Sequence, residues 1–341
     1  PEIEGVDSPH ILQPRNTIRI TAPLRSRKVS EGKNYQLSLG AAVTYTEDKN
    51  TYGEVERSFL DAGQNPPAGV LINYFLPEEI NEELSLTFLD QSGIVIVTYS
   101  NGVAANSSSE EESDQLSIAS NIGMNRFIWD MRYPPANKVP GDKTTEDRVV
   151  SGPVAPPGRY TVVLKCAGTE KSKTFEIIKD PRVEASQKEL EDQFNLLLLI
   201  RDRLSETHDS INRIRSVCSQ VHEWTQRAIG HSSETLVTEA AEKITGKLSA
   251  IEAELIQTEY QGARDRLNLP TRLNSKLSEI TSVVSAGDFA PTRQSYEVFQ
   301  AVSNEIEPHI VTLQDTIDED VKDFDNLVQE LGLPAVVVRP Q

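Results

Sequence analysis

Acid–base and metal chemistry need histidines, cysteines or carboxylates brought to one place, and few in this chain can be joined by spacing alone. The histidines are His10, His208, His222, His231 and His309. His208 and His222 share a predicted helix but stand about 21 Å apart at 1.5 Å per residue. They cannot hold one metal ion, so a structural or surface role is expected for each histidine. Cys166 falls in a predicted strand and Cys218 in a predicted helix, and neither belongs to a C-x-x-C pair, which argues against zinc and redox motifs. They form either one disulfide or, as expected, two free thiols.

The acidic run "DTIDEDVKDFD" (Asp315–Asp325) has the composition of a calcium loop. It lacks glycine at the sixth position and glutamate at the twelfth, and it lies on a helix, where ligands diverge. It reads as a solvated face. No G-x-S-x-G, P-loop or G-x-G-x-x-G occurs. A glycosidase needs two facing carboxylates about 5–10 Å apart, and spacing favours no two of the 52 acidic residues. No catalytic residue, cofactor-binding residue, cofactor or metal ligand is therefore assigned.

The segment "GMNRFIWDMRYPP" (Gly123–Pro135) sets an aspartate beside a tryptophan, as a sugar-cleaving acid on an aromatic platform would be set. Strand alternation sends Phe127, Trp129 and Met131 to one face and Arg126, Asp130 and Arg132 to the other. An aspartate between two arginines pairs with one of them and stays ionised, whereas a catalytic acid needs a raised pKa. The segment reads as a core strand. Tyr99, Tyr133, Tyr160 and Trp224 are the remaining candidates for stacking on a glycan.

These residues must be positioned by two unlike halves. Up to about residue 180, short alternating runs are separated by Pro and Gly turns: "TIRI" (Thr17–Ile20), "GVLINYFL" (Gly69–Leu76), "LSLTFLD" (Leu84–Asp90), "GIVIVTY" (Gly93–Tyr99), "GRYTVVLKC" (Gly158–Cys166) and "KSKTFEII" (Lys171–Ile178). Together they predict a β-sandwich of the immunoglobulin or fibronectin-III kind over residues 61–181, preceded by an extended segment, 1–60, partly packed on it. "NGVAANSSSEEESDQ" (Asn101–Gln115) reads as a mobile acidic loop, and its Asn106-Ser107-Ser108 is a glycosylation sequon if the chain is secreted by a eukaryote. "PPANKVPGDKTTEDRVVSGPVAPPG" (Pro134–Gly158) reads as a long excursion between strands.

From the capping box Ser186-x-x-Glu189 the period becomes helical. Leu197, Ile200, Leu204, Thr207, Ile211, Ile214, Cys218 and Val221 form an apolar seam of 3 and 4 spacing, on a helix of about 40 residues and roughly 60 Å. Leu204, Ile211 and Ile214 are the core residues expected on it. Leu236, Ala240, Ile244, Leu248, Ile251 and Leu255 mark a second helix, and Leu273, Leu277, Ile280 and Val284 a third. Phe299, Ile306, Ile310, Leu313, Ile317 and Phe324 mark a fourth, which Pro308 should kink. An antiparallel bundle of about four helices is predicted over 186–332, with a tail over 333–341. The fold class is thus all-β followed by all-α.

The net charge of −18 divides as −7 before Pro181 and −11 from there on, with no basic patch. Nucleic acid and anionic membranes are expected to be poor partners. No apolar run reaches about 18 residues, so no membrane insertion is expected. The chain opens on Pro1 without a signal peptide and reads as a mature form or a fragment.

The ordered motifs "RSFLDAGQNPPAGVLINYFLPEE", "LSLTFLDQSGIVIVTYS", "GMNRFIWDMRYPPANKVPGDKTTED", "GPVAPPGRYTVVLKCAG" and "KDPRVEASQKELEDQFNLLLLIRDRLSETHDSINRIRS" resemble the C-terminal region of a bacterial family. Its members carry sortilin-like, BNR-repeat (Asp-box) β-propellers and are often labelled glycosyl hydrolases. The resemblance runs from about His10 to the end. The strand motifs are also similar to the immunoglobulin-like domain of flagellar hook-capping proteins. The family resemblance implies a propeller upstream of Pro1, an extracytoplasmic (periplasmic or secreted) location, and any sialidase-like site outside this chain, which contains no S-x-D-x-G-x-T-W box. The hydrolase label itself rests on fold analogy. The expected function is a non-catalytic accessory and interaction region that contacts the propeller or another protein. The alternative is a carbohydrate-binding or hydrolase-associated module with a glycan partner.

Overall fold

The computed structural model describes residues 7–20, 33–38, 41–49, 55–60, 69–80, 82–102, 117–145, 151–166, 168–262 and 265–333. Most of the acidic loop expected at Asn101–Gln115, with its sequon, and the tail after Leu333 lie outside them. The chain divides into two compact units, residues 1–134 with 154–190, and residues 135–153 with 191–341. The β-rich first half and the helical second half of the sequence reading are both present.

Among the described residues the first unit holds three sheets. One is ordered β1 (His10–Ile11), β6 (Val70–Leu76), β9 (Gly123–Trp129). A second is ordered β2 (Thr17–Arg19), β11 (Thr169–Lys179), β10 (Gly158–Cys166), β7 (Leu84–Leu89), β8 (Val95–Ser100). The β7–β8 turn is built by Asp90, whose Oδ1 accepts the amides of Ser92 and Ile94 at 2.8 and 2.9 Å, with Gly93 at a φ of 79°. All pairings in these two sheets are antiparallel except β2 with β11. The third sheet, β3 (Lys33–Ser38), β4 (Ala41–Lys49), β5 (Val55–Phe59), is an antiparallel meander where the sequence reading has only an extended segment.

The inner faces of the first two sheets feed a single core around Trp129. The indole stacks on Phe88 at 4.5 Å and meets Tyr160 and Phe175 edge-on at 5.9 and 6.1 Å. Phe127 and Met131 are buried in the same core. Alternation explains Phe127 and Trp129, because β9 ends at Trp129. It does not explain Met131, which sits at a φ of 62°. An Asx-type bond spans that residue, with the amide of Arg132 donating to Asp130 Oδ1 at 3.0 Å. The left-handed step returns the Met131 side chain to the core beyond the strand's end.

The second unit is built on α1 (Gln187–Ala228), α2 (Glu234–Leu255), α3 (Leu273–Val284), α4 (Arg293–Thr316) and α5 (Lys322–Glu330). The first turn of α1 falls in the other unit. The capping box forms as read, with Glu189 Oε2 accepting the Ser186 amide at 2.7 Å and the Glu189 amide donating to Ser186 Oγ at 3.3 Å. Along α1, Leu204, Ile211 and Ile214 are buried with Ile200, Thr207 and Val221. On α2 the seam is Val237, Ala241, Ile244, Leu248, Ile251 and Leu255. Leu236, expected inside, is 49% exposed. Counting back from Ile244 in steps of 3 and 4 lands on Ala241 and Val237, one residue beyond the expected pair. The structure continues the helix through Pro308, and the hydrogen-bonding pattern changes nine residues later, in a π turn (Ile317–Val321) that joins α4 to α5.

Residues 135–145, expected as an excursion between strands, belong to the helical unit and form a strap along α1. Ala136 and Val139 enter the helical core.

Candidate functional site

A cleft with a volume of about 540 Å³ lies between α2 and the α4–π-turn rod. Helical spacing sets its walls. Lys247, Ala250, Ile251 and Glu254 fall on successive turns of one face of α2. His309, Thr312, Asp315, Thr316, Glu319 and Asp320 come from the opposite rod. A smaller hollow of about 200 Å³ adjoins it and shares Glu254 and His309.

The π turn fixes one end of the cleft. π-bulges are rare and frequently found at functional sites. Here the turn presents Asp320, whose side chain is 10% exposed, to Lys243 and Lys247 of α2. Lys243 Nζ reaches Oδ1 at 2.8 Å, and Lys247 Nζ pairs with Oδ2. The two lysines are four residues apart and so stand on one helical face. Their hydrogen bonds hold the Asp320 carboxyl below the usual carboxylate range. At the other end, Arg272 Nη1 donates to Glu254 Oε2 at 3.2 Å. Between these two fixed pairs, Asp315 and Glu319 line the cleft, exposed and without an ion pair. The cleft therefore offers an apolar floor of Ala250 and Ile251, two uncommitted carboxylates and the His309 imidazole. It is equipped to hold a cationic or hydrogen-bonding side chain.

The sequence reading treats the whole acidic run as solvated. Asp315 and Glu319 fit that description, but Asp320 does not, because tertiary contact pairs it with two lysines. The Lys243/Lys247 spacing is the one sequence signal of this arrangement, and it does not say which of several acids the lysines meet.

The aromatic candidates are engaged in packing: Tyr99, Tyr133 and Tyr160 on the core of the first unit, and Trp224 on the helical core. Tyr160 is buried, with its hydroxyl donating to the Pro156 carbonyl at 2.7 Å. Trp224 carries the Arg227 guanidinium over its ring at 4.5 Å, a cation–π contact that covers that face. Tyr99 packs its ring on Phe127 at 4.7 Å. Burial raises the Tyr99 phenol well above its ordinary value, and the Asp130 charge adds to the rise. Burial and then the Asp90 charge push Tyr133 up to about 12.

Asp130 pairs with Arg132, Nε to Oδ2 at 3.8 Å, while Arg126 Nε donates to Asn73 Oδ1 at 3.0 Å. Phe127, Trp129 and Met131 share one core, and Leu204, Ile211 and Ile214 another.

Comparison of the chain with protein-family models, with curated proteins and with solved structures returns no match.

Cys166 and Cys218 are both free thiols, each raised in pKa by burial first and then by a nearby glutamate, Glu82 and Glu252 respectively. Such thiols are poor nucleophiles at neutral pH. Among the described residues no group of three or more His, Cys, Asp or Glu side chains is placed to hold a metal ion, and no helix is long and apolar enough to cross a membrane. His10 is half-buried on β1, His222 is exposed on α1, and His231 Nδ1 accepts the Ser233 amide at 3.2 Å. His208 is the exception, a buried histidine under the strap.

Proposed function

We propose that this chain is a non-catalytic accessory and interaction region of a larger propeller-type protein, of the sortilin-like, BNR-repeat kind. In this reading the first two sheets are an immunoglobulin-like β-sandwich and the helices an antiparallel bundle. The single core fed by both sheets and the unbroken 3–4 seams of the helices support that architecture. The partner is another protein or the parent's propeller.

The cleft between α2 and α4 carries the functional reading. Reaction centres exclude water around the reacting groups. In this cleft Thr312, Asp315 and Glu319 are exposed, and its two fixed ion pairs stand at the ends of an open floor. Uncommitted carboxylates beside an apolar floor suit a basic segment of a partner, since complementary charge steers and registers docking.

Peptide arrays of basic, neutral and acidic segments, together with a glycan array, test this reading. The wild-type chain should retain basic peptides, and Asp315→Lys/Glu319→Lys should weaken retention by about tenfold or more. Glycan retention without peptide retention would establish the carbohydrate-binding alternative.

A further inference from the structure

The strap, residues 135–145, has no regular secondary structure of its own and is fastened by side chains. Its fastenings form a polar ladder on one face of α1, at positions 205, 208, 209, 212 and 215. Ser205 Oγ accepts the Asn137 amide at 3.1 Å, and Asp209 accepts both contacts of Asn137 Nδ2 at 2.9 and 2.8 Å. Asn212 Nδ2 donates to the Lys138 carbonyl at 2.9 Å, and Arg215 Nη1 to the Pro140 carbonyl at 3.1 Å. Further along, Asn274 Nδ2 and Ser275 Oγ of α3 donate to Thr144.

His208 stands in the middle of this ladder, 1% exposed. Its Nδ1 lies 2.6 Å from the Asn137 carbonyl oxygen. A carbonyl only accepts, so Nδ1 carries the hydrogen and Nε2 the lone pair. Nε2 is buried without a hydrogen-bond partner. Protonation would put a second N–H, and a charge, into that closed space with no acceptor.

We propose that His208 is an acid-sensitive latch: protonating its ring releases the strap 135–145 from the helices while the helices stay folded.

The strap yields before the helices because its opening hydrates Nε2 at the cost of a few side-chain bonds and the burial of Ala136 and Val139, whereas the helices share the rest of a continuous apolar core. Burial holds His208 below the ordinary histidine value, against the opposite pull of the Asn137 carbonyl and of the Asp142 and Asp209 charges. Asp209 belongs to α1 and is bonded to Asn137. Asp142 belongs to the strap and accepts the Thr144 and Thr145 hydroxyls. Arg215, the cation of the ladder, is paired with Glu252 of α2 at 2.7 Å, and α3 contributes the neutral Asn274 and Ser275. For a base held low, the closed state binds fewer protons than the open one. Closure is then favoured above about pH 6.5 and weakens as pH falls below it.

Amide hydrogen exchange of the full chain, corrected for the intrinsic pH dependence, tests the latch. Between pH 7 and pH 5 the protection of residues 136–145 should fall by about tenfold or more, with about twenty-five-fold the most that one histidine can supply over that span. Protection of α1 to α4 should hold. In His208→Gln, whose amide can still donate to the Asn137 carbonyl, the acid loss should vanish. Equal strap protection at both pH values, the same acid loss in His208→Gln, or loss of strap and helices together would each overturn the proposal. Should His208→Gln not fold, the wild-type imidazole NMR titration decides. Its midpoint should lie below 6.5 and coincide with strap opening. Titration at or above 6.5 with the strap still closed would refute the latch.

Discussion

Trp129 and Phe88 stack with their ring centroids 4.5 Å apart and their planes 27° from parallel. This pair joins the last residue of β9 to β7, so it ties the three-stranded sheet to the five-stranded one. The indole Nε1–H donates to the Arg132 carbonyl at 3.3 Å, which satisfies the ring's only polar group inside the core. Trp129→Ala should therefore cost about 3–5 kcal/mol. Denaturant unfolding measures this, and a midpoint equal to that of the wild type would deny Trp129 its central place.

Gly69 lies against the backbone of Trp129, at a φ of 146°. A Cβ there would lie 2.4 Å from the Trp129 carbonyl oxygen, a backbone atom that cannot swing aside. Gly69→Ala combines an unfavourable backbone conformation with a collision against β9 and should destabilise by about 2 kcal/mol or more. Gly123→Ala makes a useful comparison, since its φ of 94° carries the strain but its Cβ would meet open space. A Gly69→Ala loss no larger than the Gly123→Ala loss, each read from chemical denaturation, would remove the collision from the account.

The seam of α2 can be tested by two neighbouring truncations. Val237 is fully buried, whereas Leu236 is 49% exposed. Val237→Ala should cost about 1–2 kcal/mol, and Leu236→Ala should stay within about 0.5 kcal/mol. Thermal or urea unfolding of both variants reads the register, and the reverse ranking would place Leu236 inside.

Asp180 and Arg182 form a bidentate pair just before α1, with Nε and Nη2 of the arginine reaching the carboxylate at 2.6 to 3.1 Å. The Arg182 side-chain hydrogen bonds, followed by its backbone amide, lower the Asp180 carboxyl to about 2. A depressed carboxylate contributes stability that is present above its unfolded value near 3.9 and is lost as pH falls towards 2. Carbon-detected NMR should place the Asp180 midpoint near 2 in the wild type and closer to the ordinary aspartate range in Arg182→Ala. An ordinary midpoint in the wild type would show that the pair is not held in solution.

Local features were legible wherever neighbours in sequence are neighbours in space. The capping box at Ser186 and Glu189, the β7–β8 turn at Asp90 and Gly93, and the seam from Ile200 to Val221 each depend on residues within a few positions of one another. Met131 shows where such a reading ends. Period 2 places it inside for the wrong reason, because the strand stops at Trp129 and an Asx turn takes over. The strands β3, β4 and β5 are harder to read although Gly40 and Gly53 stand between them, because "AAVTYTEDK" alternates only in part.

Sequence by itself determined the two-part character of this chain, from the change of apolar period near Ser186, and it determined which residues of β9 and α1 are apolar enough to be buried. Only the tertiary structure decided that Asp320 meets Lys243 and Lys247, that residues 135–145 belong to the helices, and that His208 is closed beneath them. The physical reason is range. Periodicity and capping are set by backbone geometry over a few residues, whereas these pairings span some 70 positions along the chain and exist only once packing has brought their elements together.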